Sequence, residues 1–248
     1  TTYIFLVSQS KVRMAEKSTR WALVTGAGRG IGKAIALSLA KHGYSLVIAS
    51  RTVAQLEATA AEATAAGAPQ VDVQQVDLSD KKAVTALAEH CVSAHGGVDA
   101  LVNNAGVYKA GNAAEGSPDD FDFMLAVNVS APMRLTRLLS ESMAARAKSS
   151  GLPGLVLTVG SVAGLEPMQS SGAYAATKWA MRGWSLSSYQ RLRYQNIKVC
   201  LINPAYVNTD LVPDSDRLLR DRMIQPEDIG QAVNFILDCS SGCCPEEI

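Results

Sequence analysis

The chain has 248 residues, 48% hydrophobic and 19% charged, with 23 basic and 23 acidic side chains, a pI near 6.8 and a mean hydropathy of +0.08. These values exclude a disordered chain and leave no broad positive field for a phosphate backbone, so no nucleic-acid partner is expected. No apolar run reaches the roughly 18 residues of a membrane span, so no membrane partner is expected, and five cysteines without paired spacing fit free thiols in a reducing, cytoplasmic setting.

Residues 1–20 read as an N-terminal extension, with Lys11, Arg13, Lys17 and Arg20 against Glu16 and with Met14 where a shorter chain would begin. The segment lacks the long apolar run and small-residue cleavage pattern of a leader, so upstream residues are preferred over an organellar targeting peptide. From Trp21 onward, apolar runs alternate with segments of helical period. The runs are Trp21 to Thr25, Leu46 to Ala49, Val71 to Val76, Ala100 to Val102, Leu155 to Val159 and Val199 to Ile202. Strands apolar at successive positions are buried on both faces, which predicts an α/β fold with a doubly wound parallel sheet and helices on both faces.

Between the runs, Ile31 to Lys41 reads as a helix stopped at Gly43, and the Ala-rich stretch from Val53 stops at Gly67. Ser117-Pro118-Asp119-Asp120 and Gln225-Pro226-Glu227-Asp228 carry the cap, proline and acids of helix starts. No repeat and no Pro- or Ser-rich linker divides the chain, so residues 21–248 are expected to form a single domain. The histidines, His42, His90 and His95, lie far in sequence from Cys239, Cys243 and Cys244, and no zinc-type spacing occurs. No metal is expected from that pattern.

Gly26, Gly28, Gly30 and Gly32, with Arg29 and Ile31 between them, follow the first strand and open the first helix. Glycines at such a turn let the backbone approach a pyrophosphate, whose charge sits at the positive end of the helix. The spacing is G-x-x-x-G-x-G through Gly26, Gly30 and Gly32. Tyr174 and Lys178, four residues apart, share one face of a helix. A phenol of pKa about 10 transfers protons poorly at neutral pH, and a nearby ammonium stabilises the phenolate; lowering it by about three units takes roughly 4 kcal/mol.

The glycine loop, Asn103-Asn104-Ala105-Gly106, Ser161 and Tyr174-Ala-Ala-Thr-Lys178 stand in the order found in the short-chain dehydrogenase/reductase family in its classical form, which the chain resembles from Trp21 to about Ile236. The resemblance implies a Rossmann-type fold and an oxidoreductase that moves a hydride between a nicotinamide cofactor and a carbonyl or secondary alcohol. It implies that Tyr174 exchanges the proton, that Ser161 holds the substrate oxygen, and that Lys178 also binds the nicotinamide ribose. Asn128 matches the helix asparagine whose backbone positions a relay water, with Val127 beside the cofactor. Asp77 and Leu78 correspond to the pair at the adenine, Asn104, Ala105 and Gly106 to the segment beside the adenosine ribose, and Pro204, Val207 and Thr209 to the loop holding the carboxamide. Ala205 departs from the glycine usual after that proline.

An acid at the end of the second strand would favour NAD and repel a 2′-phosphate. Ser50 and Arg51 stand there instead, and Arg51 with Arg29 is expected to clamp the 2′-phosphate of NADP(H) from two sides. The residues from Leu211 to Met223 are short and charged. Arg217, Arg220 and Arg222 suit an acidic substrate or acyl carrier protein, as in the 3-oxoacyl-ACP reductases the chain resembles, while the neighbouring aspartates suit a solvated lid. A 3-oxoacyl thioester is the first substrate expectation, with a 3-hydroxy acid or other small alcohol as the alternative. From another class, a non-catalytic NADP(H) sensor would need the loop but not the proton donor. Trp179 and Trp184 are expected in packing or subunit contacts, and the resemblance implies a homodimer or homotetramer. A last strand is expected to begin within Cys244 to Ile248.

Overall fold

The structure, a computed structural model, describes residues 19–212 and 219–248. Six parallel strands, β1 (Trp21–Thr25), β2 (Ser45–Ser50), β3 (Val71–Gln75), β4 (Ala100–Asn103), β5 (Gly154–Val159) and β6 (Ile197–Ile202), lie in the order β3-β2-β1-β4-β5-β6. This is the doubly wound Rossmann order, in which the chain reverses direction across the sheet between β1 and β4. The helices are α1 (Gly30–Lys41), α2 (Val53–Ala65), α3 (Lys81–His95), α4 (Pro118–Leu125), α5 (Ala131–Ser150), α6 (Gly172–Leu192) and α7 (Pro226–Asp238). No helix among the described residues is long and apolar enough to cross a membrane.

Alternate strand residues feed two cores. Val24, Ile48, Val102, Leu157 and Ile202 pack with Ile35 and Leu39 of α1, Leu56 of α2 and Val233 of α7. Leu23, Val47, Leu101, Val156 and Val199 pack on the opposite face with Leu87 of α3, Leu135, Leu139 and Met143 of α5 and Leu192 of α6. Period-two alternation sends neighbours to opposite faces, so a strand covered twice must be apolar throughout. β3 is the exception. Its residues Asp72 and Gln74 reflect an edge position that is only half covered.

The expected domain boundary shifts slightly. Arg20 already belongs to the fold: its guanidinium lies 4.2 Å from the Tyr44 ring centroid and donates to the His42 carbonyl at 2.7 Å. Residues 1–18 of the expected extension lie outside the described residues. At the other end, Leu201 donates to Glu246 at 3.0 Å and accepts from Ile248 at 2.9 Å, which is the start of the expected parallel strand beside β6. All five cysteines are free thiols.

Two side chains tie the strands together where the chain crosses over. The Thr25 hydroxyl donates to Val102 O and accepts from the amides of Asn104 and Ala105, each at 3.1 Å. The Asn104 amide donates back to Thr25 O at 2.8 Å and Gly26 O at 3.3 Å. The carboxyl end of β1 is thereby locked to that of β4, which opens a cleft above the sheet.

Candidate active site

A cleft of about 900 Å³ runs along the carboxyl ends of the strands, and every site residue expected from the sequence lines it except Asn128. At its phosphate end the backbone does the shaping. Gly26 has φ +66°, and a Cβ on Gly32 would stand 2.2 Å from Gly26 O, so α1 can approach the loop only without a side chain there. The first turn of α1 has no side-chain cap and no acidic residue. Its free N–H groups therefore suit an anion. Beside it the Ser50 hydroxyl is buried with no partner among the described residues. An uncapped helix start and an orphaned hydroxyl fit a phosphorylated dinucleotide.

Of the two arginines expected to clamp the 2′-phosphate, one is engaged within the protein. Arg51 follows β2 at the cleft wall, whereas the Arg29 guanidinium reaches across the cleft to the Asp210 carboxylate. Both partners are largely exposed, so this ion pair is weak and exchangeable. Asp77 does not face the arginines with its carboxylate free. It accepts from the Ser79 amide at 2.9 Å and hydroxyl at 2.8 Å, which hold it below the usual carboxylate range.

At the other end of the cleft, Ser161 follows β5, and Tyr174 and Lys178 lie one turn apart on α6. Ser161 is held by its amide on Asn203 Oδ1 at 3.1 Å, and its hydroxyl accepts from the Ala163 amide at 3.1 Å. Lys178 is 7% exposed, and its Nζ donates to Val159 O at 2.9 Å and stands 5.6 Å from the Tyr174 ring centroid.

The electrostatics differ from the sequence expectation. Burial pushes the phenol of Tyr174 up to about 12, against the lowering from Ser161, with Tyr108 adding to the rise. Burial also pushes Lys178 down to about 8. Desolvation disfavours both charged forms and outweighs the attraction expected between them, so the phenol is neutral at physiological pH.

Asn128 stands behind the cleft wall. It occupies a wide helical turn, Ala126–Ser130, between α4 and α5, where successive bonds run from residue i to i+5. Its side chain accepts from the Val107 amide at 2.8 Å and donates to Val107 O at 2.9 Å and to the Thr177 hydroxyl at 3.2 Å. The segment after β4 is thus pinned to α6. Gly106 lies between Asn128 and Lys178: a Cβ there would stand 3.6 Å from Asn128 Oδ1 and 3.8 Å from Lys178 Nζ, at ordinary contact distance.

Sequence spacing gave no sign of Tyr108, whose ring meets Tyr174 edge-on at 5.3 Å and whose hydroxyl lies 3.0 Å from that of Ser171. Met168 and Asp210 also line the cleft unannounced. They come from loops without periodicity, and only folding brings them to it. The departure at Ala205 proves harmless, because among the described residues only Asn196 has positive φ apart from glycines. Arg220, expected to be free for acidic ligands, donates to Thr209 O and Val212 O at 2.9 Å each and so braces the loop after β6. Arg217 lies outside the described residues.

The short chain dehydrogenase family pattern matches residues 20–218. Sepiapterin reductase of Chlorobaculum tepidum is 33% identical over 218 residues, covering 85% of this chain and 87% of that protein. A crystal structure of a metagenomic short-chain oxidoreductase in complex with NADP superposes with a TM-score of 0.79 at 32% identity, covering 94% of this chain and 97% of that one. The 3-ketoacyl-(acyl-carrier-protein) reductase of Brucella melitensis, complexed with NADH, gives 0.80 at 30% identity over 92% and 96% of the two chains. The chain belongs to the short-chain dehydrogenase family of oxidoreductases.

Proposed function

We propose that the protein is an NADP(H)-dependent carbonyl reductase, with 3-oxoacyl thioesters as the leading substrate class. The observation that carries the reductive reading is the half-buried Tyr174 phenol, which lines the cleft together with Ser161 and Lys178 and keeps its proton at neutral pH. A phenol with pKa about 12 holds its proton at neutral pH and is set to donate it to an oxygen that is gaining negative charge. When bound, NADPH supplies the hydride.

In this reading the Ser161 hydroxyl donates to the substrate carbonyl oxygen and places it within reach of Tyr174, which gives that oxygen its proton. Lys178, fixed by Val159 O, presents its ammonium to the nicotinamide ribose and stabilises the phenolate left behind. Asn128 holds Val107 and α6 in place and acts as a positioning residue. Gly26, Gly28, Gly30 and Gly32, with Ile31, hold the pyrophosphate against α1. Ser50 and Arg51 take the 2′-phosphate, with Arg29 joining them once it leaves Asp210. Asp77 and Leu78 meet the adenine, Asn104, Ala105, Gly106 and Val127 flank the riboses, and Pro204, Val207 and Thr209 hold the carboxamide.

The preference for NADP(H) rests on the absence of an acid after β2 and on the orphaned Ser50 hydroxyl. A homodimer or homotetramer is part of the proposal. Supporting it, Leu125, Val129, Met133, Leu138 and Trp184 line an apolar groove on α4, α5 and α6, with the Trp184 indole N–H buried and unpaired among the described residues.

The test is oxidation of NADPH and NADH side by side against 3-oxoacyl thioesters, free 3-oxo acids, diketones and aldehydes. Tyr174→Phe should lower kcat about 10²–10⁴-fold while leaving NADPH binding intact. The reverse oxidation should speed up as pH rises towards about 8, because its base is the phenolate, and fall off above it as Lys178 loses the proton that stabilises that phenolate. Tight NADPH binding without turnover of any substrate would turn the reading towards a sensor, and preference for free acids over thioesters would favour a 3-hydroxy acid dehydrogenase.

A further inference from the structure

At the far edge of the sheet, away from the cleft, three side chains converge that no sequence spacing links. Asp72 is the second residue of β3, the outermost strand, and lies near its amino end. His90 and His95 come from α3, His95 as its last residue. Both Nε2 atoms point at a single oxygen, Asp72 Oδ2, each at 2.7 Å. The three donor atoms lie within 4.8 Å of one another.

The surroundings resemble the supporting shell of a metal site. The His95 ring is stacked on Trp21, with centroids 3.7 Å apart and planes at 18°, so it is fixed in orientation. The Gln74 amide donates to Asp72 Oδ1 at 2.6 Å and lies 3.1 Å from His90 Nε2, which orients the carboxylate. The side chains of His90, Asp72 and His95 are 36%, 20% and 13% exposed. The cluster is therefore covered on one side and open to water on the other, leaving an entry path and room for water ligands.

We propose that Asp72, His90 and His95 form a binding site for a divalent transition metal of the zinc class, which staples edge strand β3 to the end of α3. Two imidazoles and one carboxylate make a donor set suited to zinc and its borderline neighbours rather than to magnesium or calcium. Ligand distances of about 2.0–2.1 Å around a tetrahedral ion put donor atoms about 3.3 Å apart, so the observed contacts need to open by only about half an ångström. Such an ion adds a bridge between two elements at the strand that has a neighbour on one side only. Its consequence is stability, since none of the three residues lines the cleft.

The test is titration of the full-length protein, stripped of metal by a chelator, with Co²⁺ and then Zn²⁺. The expected result is one equivalent of Co²⁺ with visible d–d absorption and no sulfur charge-transfer band, displacement by Zn²⁺, and a higher Tm with either ion. His90→Gln and Asp72→Asn should each weaken binding more than about tenfold. His90 is the safer variant, since it is the most exposed of the three, and a circular dichroism melt without metal confirms that it folds. Cys243→Ser should bind as the wild type does. No binding at millimolar metal, affinity unchanged in a folded His90→Gln, or a thiolate band that vanishes in Cys243→Ser would overturn the proposal. None of these readouts depends on the oxidoreductase reading.

Discussion

The phosphate wall of the cleft, from Gly26 to Gly32 with Ser50, meets a ligand with backbone amides and a hydroxyl, whereas the facing wall of Ser161, Tyr174 and Lys178 meets it with groups whose charge depends on their surroundings. The first wall is preorganised by excluded volume: the loop turns at positive φ, and α1 lies against it because Gly32 has no Cβ. The second is held in position just as firmly, by Asn203, Val159 and Asn128, yet its ionisation is set by burial rather than by the pairing of phenol and ammonium. Shape and charge are thus separate achievements of the fold, and they break under different substitutions.

The largest effect should come from Gly32→Ala. Its Cβ would sit 2.2 Å from one backbone oxygen and 2.4 Å from the Asn104 amide nitrogen, so the loop or the helix must move as a unit. Overpacking against backbone costs about 3 kcal/mol, which in a domain of this size lowers Tm by roughly 6–12 °C. Calorimetry and NADPH titration should show both stability and affinity falling together. An unchanged Tm would mean that the phosphate wall is softer than its packing implies.

Lys178→Met tests the other wall, with the opposite sign at neutral pH. Lys178 is depressed from 10.5 to about 8 in the folded protein, so below pH 8 its ammonium is carried at a cost that the unfolded chain does not bear. Between pH 8 and 10.5 the unfolded lysine keeps a proton the folded one has released, and wild-type stability rises with pH in that window. Two and a half units correspond to about 3 kcal/mol. Denaturant melts should therefore show the wild type gaining about that much on Lys178→Met from pH 8 to 10.5, with the variant inactive throughout. Parallel curves would show that the ammonium is solvated rather than buried.

The contrast between shape and charge also explains what could be read from the sequence. All six strands and the glycine loop were legible, because buried parallel strands and a strand-to-helix glycine turn impose local rules on residue type. β3 was the least faithful, since an edge strand obeys those rules on one face only, and Asp72 and Gln74 stand in what reads as an apolar run. Tyr174 and Lys178 were found by helical spacing, but their ionisation was not, because desolvation depends on what Tyr108, Val159 and the sheet bring around them. Arg29 and Arg51 were placed correctly at the cleft, yet Asp210, 181 residues from Arg29, is visible as a partner only in the fold. His90 and His95 lie only 18 and 23 residues from Asp72, but on a different element, so their convergence too is visible only in the fold.

Smaller effects should come from the charges at the rim, where neither wall is rigid. Arg51→Ala should weaken NADPH about tenfold and leave NADH unaffected, since a charge-assisted contact to phosphate is worth about 1.5 kcal/mol and the unphosphorylated cofactor makes none.

Asp210→Asn should do the reverse and do it weakly. The Asp210 carboxylate holds the Arg29 guanidinium, and a bound 2′-phosphate would have to compete for it. An exposed ion pair is worth at most about 1 kcal/mol, so releasing Arg29 should tighten NADPH by no more than about fivefold. Salt screens the pair, so the gain should shrink as ionic strength rises from 0.05 to about 0.5 M, while NADH affinity stays level. A variant that tightens both cofactors equally would place the Asp210 carboxylate against the shared pyrophosphate, and Arg29 would then belong to the phosphate wall rather than to cofactor choice.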